Sequence, residues 1–338
     1  MNRAVLPALL PGLLLAALLT GCSDPTSRPT PGPVTRHETT AAPSSSAGPT
    51  RSSPFVPSGA RAHVASWHLP YAVAREAAVQ TTGTSATLAG GLLSGDETTG
   101  RALRLDLASG HSRPLRPLLV PVHDTAAGLV AGNPTVVGGG NTSEQSVVQT
   151  WENQAWHRVG RLPTTRSDLS LVEWHRHAFA IGGYDGTSEP TAILRVSRGV
   201  AQPVGALIHG VRYAATARVG SSVFVFGGED AGREADTIQR VDLATGGVQP
   251  AGHLPVPLGH AMAATVGGRI LVMGGRVTPS LPTDAMWWFD PTTGRFHRAG
   301  HLPSPLSDAA VASYRRRIWL LGGETPTVTD SVTVVGLR

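Results

Sequence analysis

The stretch Val223-Phe224-Val225-Phe226-Gly227-Gly228 has four apolar residues followed by two glycines, and this pattern is the main indication of the fold. Paired glycines of this kind recur at Gly90-Gly91, Gly138-Gly139, Gly182-Gly183, Gly227-Gly228, Gly274-Gly275 and Gly322-Gly323. Successive pairs are 48, 44, 45, 47 and 48 residues apart. A regular period of this length is typical of repeat proteins, in which each repeat is one supersecondary unit. The sequence therefore predicts six repeats, which leave no room for a second domain.

Each repeat is predicted to supply four short strands. The runs before the glycines, such as Ile270-Leu271-Val272-Met273, are apolar at every position. Such runs are typical of strands that are covered on both faces. The strand before each run has small residues, as in Ala261-Met262-Ala263-Ala264, which suits an innermost strand where blades converge on an axis. The pattern predicts an all-β fold, a six-bladed β-propeller.

The last repeat is short of one strand. After Gly323 only residues 331–335 have strand character, so the outer strand of this repeat is missing. Residues 63–68 precede Leu69-Pro70 in the same way that residues 297–301 precede Leu302-Pro303. We therefore expect the N-terminal segment to complete the last blade, which would remove an exposed sheet edge.

These features resemble kelch repeats over roughly residues 60–338. The kelch pattern places an aromatic-Asp pair after the diglycine and then a Trp, and Phe289-Asp290 and Trp156 match it. Val241-Asp242 and Leu105-Asp106 keep the aspartate and lose the aromatic residue. The resemblance implies one kelch-like propeller, which we assign to residues 59–338.

The N-terminal region indicates export. Residues 1–22 combine Arg3 with an apolar stretch over residues 9–19, as a signal peptide does. They end in Leu19-Thr20-Gly21-Cys22, which resembles a bacterial lipobox, where the cysteine thiol takes a diacylglyceryl group. Residues 23–58 are dominated by Ser, Thr and Pro and are predicted to be a disordered tether. We expect a protein held by its lipid anchor alone at the outer face of the bacterial cytoplasmic membrane.

Composition excludes several classes of function. Of the 338 residues 41% are hydrophobic, which is enough for a core. The sequence pI is about 10.3, yet all 28 basic residues are arginines and only Arg315-Arg316-Arg317 forms a run, so no nucleic-acid partner is expected.

Cys22 is the only cysteine, so no intramolecular disulfide can form. The copper-radical oxidases on similar propellers need a Tyr–Cys crosslink and are excluded for the same reason. We expect a monomer without a cofactor.

Candidate site residues lie at equal phase in the repeats. Fourteen residues before each diglycine stand Glu76, Asp124, Asp168, Tyr213, His260 and Asp308, and one residue earlier stand Arg75, His123, Ser167, Arg212, Gly259 and Ser307. These positions are predicted to surround the channel mouth, with ligand contacts centred on Arg75, Asp168, Arg212, Tyr213, His260 and Asp308. The alternative is that they only bind backbone amides where the strands begin. Carboxylates spread round a channel are too far apart to chelate a metal ion, so no metal site is expected.

The loops after the glycines add polar residues to the same face, namely Asn141, Tyr184-Asp185, Glu229-Asp230, Arg276 and Glu324. By default these are turn residues. The leading hypothesis is non-catalytic recognition of an envelope protein or glycan. The alternative is a sugar-ring isomerase resembling the kelch-type sialate epimerases, in which Arg75 or Arg212 holds an anionic substrate and His260 or a carboxylate moves protons. A third hypothesis is a purely structural spacer in the envelope.

Overall fold

The computed structural model describes residues 57–338, and within them the chain forms 30 strands and no helix. The predicted signal peptide (1–22) and nearly all of the predicted tether (23–58) lie outside the described residues. Between Pro57 and Arg338 no segment could cross a bilayer as an apolar helix. The all-β prediction is confirmed.

The strands form six antiparallel four-stranded sheets, the blades of a propeller. The first strands, nearest the axis, are β2 (Ala77–Thr82), β8 (Ala126–Val130), β12 (Ser170–Trp174), β16 (Ala215–Val219), β22 (Met262–Val266) and β28 (Ala310–Tyr314). The second strands are β3 (Ser85–Ala89), β9 (Asn133–Val137), β13 (His177–Ile181), β17 (Ser222–Phe226), β23 (Arg269–Met273) and β29 (Arg317–Leu321). The third strands are β6 (Ala102–Asp106), β10 (Val147–Glu152), β14 (Ala192–Ser197), β20 (Thr237–Asp242), β26 (Ala285–Asp290) and β30 (Val332–Leu337).

The outer strands complete the blades. They are β7 (Ser112–Leu115), β11 (Ala155–Arg161), β15 (Val200–Ala206), β21 (Val248–His253), β27 (Arg295–His301) and, for the sixth blade, β1 (Ala60–Val64). Three small hairpins lie between second and third strands: β4 (Leu92–Leu93) with β5 (Glu97–Thr98), β18 (Glu229–Asp230) with β19 (Arg233–Glu234), and β24 (Arg276–Thr278) with β25 (Leu281–Pro282).

Apolar residues of the second and third strands fill the space between neighbouring blades. Phe226 of the fourth blade packs in one cluster with Ile270 and Phe289 of the fifth. Trp288 of the fifth blade packs with Leu320 of the sixth. Because each blade is covered on both sides, its second strand is apolar at successive positions, as the sequence predicted. Each fully buried side chain of this size contributes about 1.5–3 kcal/mol to stability.

The first strands line a central channel of about 450 Å³. Each of them contacts the first strands of the two neighbouring blades, so the six strands form a closed ring. The side chains that line the channel are mostly small, among them Ala215, Ala217, Ala263 and Ala312. Small side chains are required here because six strands converge on one axis.

The N-terminal strand is the outer strand of the last blade. Strand β1 pairs antiparallel with β30, in a register that runs from Ala60 opposite Leu337 to Val64 opposite Thr333. The paired segment begins three residues before the predicted one, residues 63–68, and most of that segment lies beyond the strand. Beyond the strand, Trp67 packs over Gly110 in the first blade.

The diglycines join each blade to the next one. The N–H of Gly228 donates to the carbonyl oxygen of Leu258 in the following blade over 2.9 Å. A Cβ on Gly227 would fall against the same carbonyl oxygen, and the φ of Gly227 is +54°. The close approach of two blades and the left-handed backbone therefore both require glycine. The other five diglycines make the same contact with their following blade.

Candidate functional site

Six residues form a closed ring of backbone hydrogen bonds at one end of the channel. We call them the mouth ring, and they are Arg75, Asp124, Asp168, Tyr213, His260 and Asp308. The N–H of each donates to the carbonyl oxygen of the ring residue in the preceding blade, over 2.8 to 3.2 Å. The ring closes where Arg75 of the first blade donates to Asp308 of the sixth over 3.0 Å. Each side chain is thereby fixed at the point where its first strand begins.

All six mouth-ring residues have left-handed backbone, with φ between +48° and +59°. Such a conformation costs an ordinary L-residue roughly 1–2 kcal/mol and persists where the surrounding structure enforces it. Strained residues of this kind concentrate at functional sites, and here the ring of hydrogen bonds holds them in place.

The structure corrects the phase of the first blade. Arg75 occupies the mouth-ring position there, although Glu76 stands fourteen residues before the diglycine. Glu76 is buried and lines a cavity of about 130 Å³ behind the ring. Burial raises the pKa of its carboxyl well above the usual range, which favours the neutral acid.

The loops after the diglycines bring a second set of charges to the mouth. A backbone bridge joins Arg212 to Glu229, a second joins Gly259 to Arg276, and a third joins Ser307 to Glu324. Each bridge links the residue before a mouth-ring position to the second residue after the first glycine of the same blade. Glu229, Arg276 and Glu324, taken from the sequence only as turn residues, therefore stand directly beside the ring.

Arginines and carboxylates alternate across the mouth. Arg75 pairs with Asp124 (3.2 Å) and with Glu324 (3.0 Å). Arg276 continues the network, with Nη2 at 2.6 Å from Glu324 and at 2.9 Å from Asp308. Within the fourth blade Arg212 lies 2.7 Å from Glu229. Each guanidinium therefore has a carboxylate partner, and the charges of the mouth compensate one another internally.

Aromatic rings fill the centre of the mouth. The Tyr213 ring stacks on the His260 imidazole with 3.8 Å between ring centroids. The Tyr213 hydroxyl donates to Asp124 and accepts from Arg75, each over 3.2 Å. Arg212 lies over the faces of Tyr184 and Tyr213, at 5.1 and 5.4 Å from the centroids. The aromatic surface and the charges are thus parts of one rigid network.

His260 is held between two carboxylates. Its Nδ1 lies 2.6 Å from Asp308 and its Nε2 lies 2.9 Å from Glu229, while only 3% of the side chain is exposed. Burial by itself lowers the pKa of His260, but the charge of Asp308 and the hydrogen bonds to both carboxylates outweigh it and raise the pKa to about 9. Burial opposes ionisation of Asp308 too, yet His260 and the arginines lower its pKa to about 2. At neutral pH this pair is an imidazolium and a carboxylate.

The pKa of Asp168 is raised, in contrast to the lowered pKa of Asp308. Burial and the neighbouring charge of Asp124 raise its pKa to about 7, since Arg212 compensates only part of the cost at 3.7 Å. The pKa of Asp124 is also raised, mainly by burial. Near neutral pH the Asp168 carboxyl is therefore present in both its protonated and its ionised form.

A cleft opens beside the mouth ring between the first and sixth blades. Its volume is about 650 Å³, a size typical of small-ligand sites. Its polar lining consists of Arg75, Ser94, Asp96, His123, Glu324 and Thr327. Ser94 and Asp96 are exposed in the turn of the β4–β5 hairpin, and Thr327 is exposed in the loop before β30. Arg75 and Glu324 belong both to the cleft and to the charge network.

The structure brings all six sequence-predicted ligand candidates to one mouth, five of them in the ring and Arg212 beside it. These six side chains differ in their exposure to solvent. Arg75 and Arg212 are partly exposed, whereas Asp168, His260 and Asp308 are almost covered. Asp124 has the same place in the ring although it was not among the six. No group of three or more His, Cys, Asp or Glu side chains within residues 57–338 is arranged to hold a metal ion.

The raised pKa of His260 predicts a loss of stability at alkaline pH. The imidazolium stabilises the folded state fully below about pH 6.5, and this contribution is lost as the pH rises through about 9. The difference corresponds to about 3 kcal/mol. Thermal melts at pH 6 and pH 9.5 (roughly the two ends of this range) should show the decrease, and His260→Gln should flatten it. His209→Gln, at an exposed histidine, should keep the wild-type slope, and equal slopes in both variants would contradict the assignment.

Comparison with known proteins supports the fold. The kelch motif model matches residues 258–303, which span the fifth blade. A solved structure titled "Structure of YjhT" aligns with a TM-score of 0.69 at 14% identity, over 80% of this chain and 99% of that one. A search of curated proteins found no match. The chain is a six-bladed β-propeller that carries a kelch motif, and the low identity limits the likeness to the fold.

Proposed function

We propose that this protein is a non-catalytic recognition protein of the bacterial cell envelope, and that its propeller mouth binds a glycan. The cleft of about 650 Å³ beside the mouth ring is the observation that carries the proposal. It offers hydroxyl, imidazole, guanidinium and carboxylate groups within one small concavity. Such a mixture of donors and acceptors suits a ligand rich in hydroxyl groups.

The charge network supports an uncharged ligand over an anionic one. Arg75 is paired with two carboxylates, and so is Arg212. An anionic substrate would have to compete with these partners for each guanidinium. A neutral saccharide can instead donate to carboxylate oxygens and accept from guanidinium groups without disturbing the pairs.

The same network disfavours the isomerase alternative. His260 has both ring nitrogens engaged by carboxylates and a pKa raised to about 9, so it is not a free base at neutral pH. One observation favours proton transfer, the pKa of about 7 of Asp168. The interconversion of sugar anomers, which opens and recloses the ring with proton transfer at its oxygens, tests this second candidate when it is followed by NMR on free reducing sugars. We expect no acceleration by the protein.

Filling the cleft should weaken glycan binding strongly. We expect Ser94→Trp to weaken binding of envelope polysaccharides at least about tenfold, because the indole would occupy the space that the sugar needs. Ser143→Trp places the same side chain on an exposed loop of the same face, outside the cleft lining, and should bind as the wild type does. The measurement is glycan-array binding followed by titration, with thermal melts of both variants.

Two further results decide the outcome of this test. If Ser94→Trp melts early, Thr327→Trp fills the same cleft from its other wall. Undiminished binding by folded cleft variants would place the recognition surface elsewhere and overturn the proposal.

Anchoring is the second part of the proposal. The sequence around Cys22 supports lipidation of its thiol, and export would follow from residues 1–22. Mass spectrometry of the mature protein should find a diacylglyceryl group on Cys22. Cys22→Ser should release the protein from the membrane fraction, since the thiol is the group that accepts the diacylglyceryl group. An unmodified wild-type N-terminus at another residue would refute the anchor.

A further inference from the structure

A second cleft, which we call the side cleft, opens between the first and second blades at their outer strands. Its volume is about 800 Å³, within the range of small-ligand sites. Its polar and aromatic lining consists of Arg104, Arg113, Arg116, Trp151, Asn153 and Gln154. The lining contains no Asp or Glu and shares no residue with the cleft beside the mouth ring. The side cleft is therefore a separate concavity with a different charge.

Two of its arginines stand directly opposite each other. Arg104 of β6 pairs with Arg113 of β7 in the register of the first blade. Residues paired in this way project from the same face of a sheet, and like charges so placed are destabilising. Within residues 57–338 the guanidinium groups of Arg104, Arg113 and Arg116 have neither a hydrogen bond nor an ion pair. The chain itself therefore does not compensate this pair by direct contact.

The corresponding arginines of two other blades are engaged. Arg195 in the third blade lies opposite Gln202 and donates to its side-chain oxygen over 3.3 Å. Arg240 in the fourth blade lies opposite Gln249, and its Nε donates to Ser222 over 2.9 Å. Of these three blades, only the first has arginine on both strands. The unpaired guanidinium groups are thus a property of this blade and not of the repeat.

The second strand of the first blade is also unusual beside these arginines. Thr87 of β3 lies opposite Arg104, whereas Phe179 and Phe224 occupy the same place in the third and fourth blades. A threonine fills less of the space between two blades than a phenylalanine does. The Oγ1 atom of Thr87 and the Nε atom of Arg104 are both buried without a hydrogen-bond partner. Buried polar atoms without partners are rare in folded proteins, and here two neighbouring residues carry them.

Two carboxylates lie close to the side cleft in the chain. Hydrogen bonds from Ser109 and Thr84 lower the pKa of Asp106, which is therefore ionised at neutral pH. These same groups occupy its oxygens. Glu152, next to Trp151, pairs with Arg198 over 2.8 Å. The two charges offset part of the positive potential at a distance, but they leave the N–H donors of the cleft arginines free for a ligand.

We propose that the side cleft binds a saccharide that carries a carboxylate or a phosphate group. A guanidinium presents paired N–H donors that match two oxygens of either acid, and neither Arg104 nor Arg113 has a competing partner. A bound acid would also relieve the repulsion between the two arginines. This proposal does not rest on glycan binding at the mouth, because the two clefts have no residue in common.

The rest of the lining favours a saccharide over an acidic peptide. Trp151 is half-buried and contributes apolar ring surface, which suits the C–H groups of a sugar ring. Asn153 and Gln154 form the two-residue turn between β10 and β11, and both are exposed. Their amides offer donors and acceptors to sugar hydroxyl groups. A compact acidic saccharide can use all three kinds of group within one concavity.

The test compares acidic and neutral forms of the same sugar by titration calorimetry on the full chain. Trigalacturonate and its methyl ester form the carboxylate pair, and glucose 6-phosphate and glucose form the phosphate pair. We expect at least one acidic form to bind at least about tenfold more tightly than its neutral counterpart. The acidic form that binds more tightly identifies the acid group that the cleft takes.

Charge removal provides the second arm. Arg104→Gln combined with Arg113→Gln should weaken binding of the acidic saccharide at least about tenfold. The matched control is Arg195→Gln combined with Arg240→Gln, which removes the same charge from the corresponding strands of two other blades and should bind as the wild type does. If the first double variant melts early, Arg113→Gln with Arg116→Gln, both at exposed positions, replaces it.

Three outcomes would overturn the inference: no binding of either acidic saccharide, equal binding of the acidic and neutral forms, or equal loss in the two double variants. Hexaglutamate binding at least as tightly as the saccharides would assign the side cleft to acidic peptides and also overturn it. Ser94→Trp fills the cleft beside the mouth ring and should bind the acidic saccharides normally. Failure of this inference is therefore distinguishable from failure of the glycan proposal.

Discussion

Deleting residues 60–64 should abolish cooperative folding of the propeller at physiological temperature. The deletion removes β1 and leaves the backbone groups of β30 unpaired along five residue positions. Ala60 and Ala62 also pack against the apolar cluster between the fifth and sixth blades, so the deletion would expose part of this cluster to water. At about 1 kcal/mol for each lost hydrogen bond, the loss approaches the roughly 5–15 kcal/mol by which a domain is stable.

A deletion of equal length provides the control. Removing residues 40–44 shortens the Ser/Thr/Pro-rich region by the same five residues and should leave the melting temperature unchanged. Thermal melts of the two deletion variants, followed by circular dichroism and by calorimetry, measure the difference in stability. A parent-like melt after deletion of residues 60–64 would show that the sixth blade is stable without its outer strand.

Replacing Gly227 by alanine should be nearly as damaging. The new Cβ would collide with the carbonyl oxygen of Leu258 and would lie 2.7 Å from that of Ala235, and both are backbone atoms that cannot move aside alone. The substitution would also disrupt the contact between two blades, where the N–H of Gly228 donates a hydrogen bond to the carbonyl oxygen of Leu258. We expect a loss of about 4 kcal/mol or more, the range reserved for specific packing or strain defects.

Gly220 separates crowding from backbone strain. Its φ of +63° is left-handed like that of Gly227, but no atom lies within 4 Å of a Cβ built on it. Gly220→Ala should therefore cost only the conformational part, roughly 1–2 kcal/mol. Denaturant unfolding of both variants gives the comparison. Equal losses would mean that the diglycine is required for its backbone conformation alone and not for the contact between blades.

The mouth serves both structure and recognition. His260 and Asp308 are almost covered, so substitution of either would leave a buried partner unpaired and destabilise the domain. The sequence predicted His260 and Asp308 as ligand contacts at the channel mouth, whereas their burial makes them part of the supporting network. Ligand binding is therefore better tested at the cleft, where Ser94 and Thr327 are exposed and outside the buried network.

The six repeats, the all-β fold and the place of the innermost strands could all be predicted from the amino-acid sequence. These features are local, because a diglycine, an apolar run and a stretch of small residues each specify one strand or turn within a single repeat. The missing strand after Gly323 also indicated that the N-terminal segment would be needed. The observed pairing begins three residues before the predicted one, and the residues beyond it leave the strand, with Trp67 packed over Gly110 in another blade.

The identity of the side chains that meet at the mouth, in contrast, could not be predicted before the folded propeller was known. Arg75 pairs with Glu324, 249 residues away, and the ring places Arg75 in the position that the spacing gave to Glu76. Glu229 reaches His260 across a blade boundary, which turned an apparent turn residue into a partner of the central imidazole. Such contacts depend on how neighbouring blades are rotated about the axis and on which rotamers the packing allows. No local pattern contains that information, since it arises only when six distant segments close into one ring.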